Sequence, residues 1–384
     1  MTTAQSSYID ARARAEFWRL AAAVFLVSFL VAHSTLLSIV FTNAGMSLRE
    51  IGWLLSLPAI PIMAATVLSG AIMARIGALA TTRMGMAAVI VGLGSLQWTR
   101  HDFGLALASR MVQGVGLGVL LAACITYGQS RLRPVRFVYL LGILSSMFPL
   151  AAAFAPAFGG WVLQTYGDGD LFLIASVPAI IGFALTIGLR PLARPKDAHG
   201  LDLADGLRRD RIAPLAAVFA CGTMFAFNGS YLAAALQGRG IAIAAFFTSA
   251  TLAMFVTRFL ILRRASALDR RLTTAGGLTL MSIGLFSAAA PAGTALVVAG
   301  GIAFGMGHSV IYPLLTVWMS EGLAPERRGG PQAVLNTAFN AGIYITPFPQ
   351  TLLLEAYGYD MTQRLVACVG VAMAAWLVAA WVRR

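Results

Sequence analysis

Four ionisable side chains stand within long apolar runs: His33, Arg110, Arg258 and His308. An imidazole titrates near neutrality and can take up and release a proton. A guanidinium keeps its charge and presents five donors suited to an anionic group. None of the fifteen Asp and Glu residues lies in the middle of such a run; Glu50, Glu321 and Glu355 fall close to run ends. A charge in apolar surroundings is costly, so these groups should face protein or a wet cavity. For each histidine, and for Arg110, a bond to a neighbouring helix explains the residue about as well as a chemical role does. Arg258 sits near the end of its run and can snorkel. Gln113 lies one turn from Arg110. Asn228, Ser230 and Tyr231 share one run, and Tyr312 closes the glycine-rich stretch Gly305–Pro313 that contains His308. Asn336, Asn340 and Tyr344 recur every four residues and form one helical stripe. Buried amides need partners, either another helix or a ligand.

The elements that must hold these groups follow from composition. The 384 residues are 59% hydrophobic and 11% charged, more apolar surface than a soluble domain can bury. Apolar stretches of spanning length occur near 17–42, 48–73, 81–99, 103–129, 137–164, 170–190, 213–236, 240–263, 272–290, 293–321, 331–357 and 361–382. Alternating ten-residue strands are absent, so an all-α membrane protein with twelve spanning helices is expected. The net charge is +13, which in a soluble protein would suggest nucleic acid. Here the distribution speaks to topology instead. With the N-terminus cytoplasmic, 23 basic residues fall on the inner side and four (Arg49, Arg100, Arg239, Arg364) on the outer side, so both termini are expected in the cytoplasm. Residues 1–16 are polar and the first apolar run is too long for a cleaved signal, so a short N-terminal tail is expected. One lysine among 28 basic residues, with abundant Ala and Gly, points to a bacterial inner membrane.

At an offset of 191 the chain echoes itself. Gly114 pairs with Gly305, Gly116 with Gly307, Pro134 with Pro325, Arg136 with Arg327, Pro156 with Pro347, and Tyr166-Gly167 with Tyr357-Gly358. The polar interruption at Arg190–Arg211 splits the spans six and six. We therefore expect a tail at 1–16, a six-helix bundle at 17–190, a cytoplasmic linker at 191–212 and a second bundle at 213–384, related by pseudo-symmetry. Leu201–Leu207 could form a short amphipathic helix. The polar span residues break the echo: Arg110 pairs with Gly301, Leu117 with His308, Pro149 with Asn340, Leu37 with Asn228 and His33 with Met224. Symmetric positions should hold the fold; asymmetric ones should shape a single site.

Three motifs carry a family resemblance. Arg110-Met-Val-Gln113-Gly114-Val-Gly116 resembles the Arg-x-x-Gln-Gly-x-Gly signature of the major facilitator superfamily. Pro156-Ala-Phe-Gly159-Gly160 is similar to the motif of its antiporters, with Ala155 in place of the usual glycine. The loop at Gly70–Gly77 keeps Arg75 and Gly77 of the family's gating pattern, but Ala74 stands where an acid is usual; the second half retains Asp269-Arg270. The resemblance implies a secondary transporter working by alternating access, with Arg110 influencing proton transfer and binding. The antiporter-like motif implies proton-coupled export. A site of His33, Arg110 and His308 favours an anionic or amphipathic compound, such as a drug-like molecule or a siderophore-type metallophore. Proton-coupled import of an organic anion or sugar is the alternative, and a lipid flippase the alternative of another class. Cys124, Cys221 and Cys368 lack metal or disulfide spacing, and no catalytic cluster is evident within the spans. No enzyme activity, metal, cofactor or nucleic-acid partner is expected. The expected partners are the bilayer, a small molecule and protons, with the chain a monomer.

Overall fold

A computed structural model describes residues 3–129, 134–168, 170–191, 204–262, 269–289, 293–323 and 329–382. Much of the expected linker, 192–203, lies outside these residues, as do Pro325 and Arg327 of the echo. Among the described residues the chain is helical, without strands. The helices are α1 (Thr3–Ala32), α2 (Leu37–Asn43), α3 (Leu48–Ser56), α4 (Ala59–Ile76), α5 (Ala78–Gly94), α6 (Leu96–Thr99), α7 (Phe103–Gln129), α8 (Pro134–Tyr166) and α9 (Leu171–Ile187). After the linker come α10 (Ile212–Ser230), α11 (Leu232–Gly238), α12 (Ile243–Leu262), α13 (Arg270–Ala288), α14 (Thr294–Met319), α15 (Gly329–Ile345) and α16 (Pro347–Val382). Eight described stretches are long and apolar enough to cross a membrane, and Leu171–Ile187 and Ile243–Arg258 are shorter apolar helices. Outward-facing apolar side chains such as Val67 (76% exposed) and Trp98 (73%) identify surface that lipid must cover. Within the expected amphipathic helix, Ala204–Leu207 forms a 3-10 turn.

Contacts divide the helices into two compact units, Met1–Ser34 with Ile60–Ala198, and Thr35–Ala59 with His199–Arg384. The segment 35–59 thus belongs by contact to the second unit, although it precedes most of the first in sequence. In the first unit α5 packs on α7, and α1 on α8 and α9. In the second, α13 and α12 both pack on α14, α10 packs on α15, and α13 on α16.

A close helix contact recurs in both units, near the register of the sequence echo. A Cβ added at Gly92 would lie 2.7 Å from the Ser109 carbonyl oxygen and 2.8 Å from Gln113 Cα; one at Gly284 would lie 2.6 Å from the Gly300 carbonyl oxygen and 2.7 Å from Phe304 Cβ. Positions 109 and 113 correspond to 300 and 304 at the offset of 191, while Gly92 and Gly284 stand 192 apart. In lipid no hydrophobic force drives helices together, so close backbone approach supplies the attraction. Arginines close several helix ends. Arg83 Nη2 donates to the carbonyls of Thr186 (2.6 Å) and Ile187 (3.1 Å) at the end of α9, and Arg211 donates to the Met319 carbonyl at the end of α14. Carbonyls at a helix C-terminus lack intrahelical partners and carry partial negative charge, which a guanidinium satisfies.

Candidate functional site

Polar side chains collect in each unit, and the two collections differ in chemistry. In the first unit Arg110 and Gln113 project from α7, three residues apart. Arg110 Nη1 donates to Gln113 Oε1, and Gln113 Nε2 lies 3.5 Å from Ser34 Oγ. Both side chains are buried, at 4% and 2% exposure. His33 immediately precedes Ser34, at the start of the 3-10 turn His33–Leu36 that interrupts the first span. Its Nδ1 lies 2.7 Å from the Phe29 carbonyl, and its ring packs edge-on against Phe29 and Phe158. Its Nε2 is buried without a hydrogen-bond partner among the described residues. Phe158 comes from the Pro156–Gly160 motif of α8, so the antiporter-like motif supplies one wall of the His33 environment. α8 runs through both Pro149 and Pro156, and Pro156 and Gly159 are buried within it.

In the second unit the site is aromatic. Phe304, His308 and Tyr312 recur every four residues on α14 and so share one helix face. His308 stacks on Phe225 of α10, with ring centroids 4.8 Å apart and planes 24° apart; it also lies 6.4 Å from Phe339 of α15. Tyr312 packs against Phe339 at 5.4 Å and its hydroxyl donates to Asn336 Oδ1 at 3.4 Å. Asn336 and Asn340 are half-buried on α15, as is Tyr344. The polar atoms buried without a hydrogen-bond partner among the described residues include His308 Nε2, Asn228 Oδ1 on α10 and Arg258 Nε on α12. Such atoms are costly in an apolar setting, which fits groups that bind something.

Tyr231 stands apart from this set. It is fully buried at the junction of α10 and α11, and its hydroxyl donates to the Pro347 carbonyl at 3.0 Å and pairs with Thr351 Oγ1 at 2.5 Å. The gating positions are distributed by role. Gly114 is buried, and Gly116 packs against Gly85 and Val89. Arg75 ends α4, exposed, and Gly77 follows it at φ 86° before α5. Asp269 caps α13, accepting from the Arg271 and Leu272 amides at 3.0 and 2.9 Å, while Arg270 pairs with Glu321. The acid of the second half therefore serves a helix end, and its neighbour makes the ion pair. The aromatic stripe of α14 is the main feature of this cluster absent from the candidates nominated by sequence. Its signal was present in the four-residue spacing of Phe304, His308 and Tyr312, but the rings that complete the cluster come from α10 and α15.

The profile of the Major Facilitator Superfamily matches residues 20–233. No curated protein matches the chain in sequence. Among solved structures, a point mutant of the nucleoside transporter NupG superposes with a TM-score of 0.82 at 14% identity, covering 95% of this chain and 99% of that one. A POT family transporter in complex with a thioalcohol-conjugated peptide gives 0.74 at 11% identity, covering 94% and 95%. A POT family transporter with 5-aminolevulinic acid gives 0.76 at 11% identity, again covering 94% and 95%. At these identities the likeness is one of fold.

Proposed function

This chain belongs to the major facilitator superfamily, and on that premise we propose that it exports a small amphipathic or anionic compound in exchange for protons, by alternating access. That it is a multi-pass membrane transporter follows from the family and its apolar helices. Cargo, direction and coupling are our reading. The observation that supports the cargo is the buried guanidinium of Arg110, held by Gln113 in the first unit. A buried cation draws an anionic group. A drug-like aromatic acid or a siderophore-type chelator carries such a group. The neighbours' names, a nucleoside transporter and POT transporters bound to a conjugated peptide or 5-aminolevulinic acid, fit compact polar cargo. Export rests on the antiporter-like Pro156–Gly160 segment, whose Phe158 packs on His33. His33 and His308 are the proton carriers in this reading, since each keeps a buried ring nitrogen without a hydrogen-bond partner among the described residues.

In this reading the chain sits in a bacterial inner membrane with both termini cytoplasmic and acts as a monomer. Transport of aromatic carboxylates into inverted membrane vesicles tests the proposal. An acid interior should raise uptake several-fold, and His33→Ala with His308→Ala should abolish that dependence. Uptake confined to right-side-out vesicles would reverse the direction, and uptake indifferent to the gradient would remove the protons. Scrambling of labelled lipid by the purified protein would favour a flippase instead.

A further inference from the structure

We propose that a groove between α10 and α16 binds an anionic phospholipid, with an acyl chain along the groove and the headgroup phosphate on Arg208 and Arg209. Both helices and both arginines belong to the second unit. The helices touch where Gly370 meets Met224: a Cβ added at Gly370 would lie 2.5 Å from the Met224 sulfur. Nearer the start of α10 they part, leaving a groove of about 510 Å³ lined by Ala216 and Phe219 of α10 and Val369, Ala372 and Trp376 of α16. The small side chains of Ala216 and Ala372 give the groove its depth, and Phe219 and Trp376, both exposed, rise beside it. No polar side chain borders it, so it is a place for hydrocarbon. In a bilayer the groove by itself discriminates little among lipids, because every tail is as apolar as its walls. Selectivity must come from the headgroup end.

That end is basic. Arg209, Ile212, Ala216 and Phe219 follow one another at intervals of three and four residues through the 3-10 turn Arg209–Arg211 and the first turns of α10, so they share a face. Arg209 is exposed, and its guanidinium has no ion pair or hydrogen bond among the described residues. Arg208 pairs with Asp210 at 3.3 Å, but both side chains are more than half exposed, so the pair is weak and a phosphate can replace it. Arg211, by contrast, is buried and engaged by the Met319 carbonyl. The surroundings are those of a headgroup layer. Leu207 is exposed just before the arginines, and Trp376 and Trp381 are exposed near the end of α16; indole rings beside arginines mark the level where tails meet headgroups. A zwitterionic headgroup presents its phosphate with a cation attached, whereas an anionic one presents it alone. Two accessible guanidiniums at the end of an apolar groove therefore favour the anionic lipid, by on the order of tenfold. Cargo, coupling ion and direction of transport do not enter; only the choice of leaflet rests on the orientation proposed above.

Lipid titration of the purified full chain in detergent tests this, read by melting temperature and by native mass spectrometry. The probes are dioleoyl phosphatidylglycerol, dioleoyl phosphatidylcholine with the same tails, and glycerol phosphate alone. A lipid that bridges α10 and α16 stabilises the folded chain, so phosphatidylglycerol should raise the melting temperature by several degrees more than phosphatidylcholine and should stay bound in the mass spectrum. Glycerol phosphate should do neither. Arg208→Gln with Arg209→Gln should erase the difference between the two lipids, and Arg208→Lys with Arg209→Lys should keep most of it. Ala372→Phe fills the groove from an exposed position without touching any charge and should also erase it; Ala216→Leu fills the groove from α10 if that variant fails to fold. Equal shifts from the two lipids overturn the proposal. An undiminished difference in the Gln variant overturns the role of the arginines. An undiminished difference in a filled groove, or an equal shift from glycerol phosphate alone, overturns the role of the groove. A second copy of the chain seated there instead would give a dimer that Ala372→Phe abolishes and phosphatidylglycerol does not displace, and that result overturns the lipid as occupant.

Discussion

His308 and His33 pose the same question at the scale of the residue, whether an imidazole is held for its shape or for its nitrogen. His308 is stacked on Phe225 and flanked by Phe304 and Phe339, so its ring fills a site that another ring would also fill. We expect His308→Phe to leave the melting temperature in detergent within about 3 °C of the parent, since only a small change in packing is involved. Transport of the proposed cargo should fall at least tenfold, because the unpartnered Nε2 is lost. Unchanged transport in a stable His308→Phe protein would make the residue a packing element. Arg110 differs: its guanidinium already bonds Gln113. Gln113→Leu should therefore destabilise the protein by about 2 kcal/mol, as removal of one partner from a buried charged hydrogen bond does. A thermal-shift measurement checks it. The sequence spacing brought Arg110 and Gln113 onto one face. That Gln113 also reaches Ser34 required the helices to be packed.

Helix ends and breaks carry the next level of explanation. The repeated Tyr-Gly pairs are helix punctuation. Gly167 has φ 77° and Gly358 φ 74°, a backbone conformation that a side chain makes costly. Gly358 also has ψ 178°, a combination essentially reserved for glycine. Gly358→Ala should cost about 1–3 kcal/mol, seen as a lower melting temperature, while Gly276→Ala, with nothing within 4 Å, should cost almost nothing. Asp269→Ala removes both cap bonds of α13 and should cost about 1 kcal/mol. The apolar runs announced most helices, because lipid forces every backbone polar group into an intrahelical bond. The interruptions at His33–Leu36 and at Tyr231 were not announced. No proline marks either; at Tyr231 the contacts that distinguish the position are those of its side-chain hydroxyl with Pro347 and Thr351, which lie far away in the chain.

Taken whole, contacts divide the molecule into two compact units, and residues 35–59 group with the second. The charge asymmetry predicts its orientation: a cysteine introduced in residues 1–16 should react with an impermeant thiol reagent in inverted vesicles and not in intact cells. Labelling in intact cells would invert the topology. The sequence alone determined that the chain lives in lipid, that it is helical and that its halves are related, because these depend on composition and on one-dimensional patterns of apolar, small and basic residues. It also nominated His33, Arg110 and His308, since ionisable groups in apolar runs stand out without any coordinates. Only the tertiary structure decided that Phe225 and Phe339 complete the environment of His308, that Tyr231 bonds the start of α16, and that residues 35–59 pack with the second unit. These are contacts between positions far apart in the chain. Many apolar residues could have met there, and packing geometry selected the ones that do.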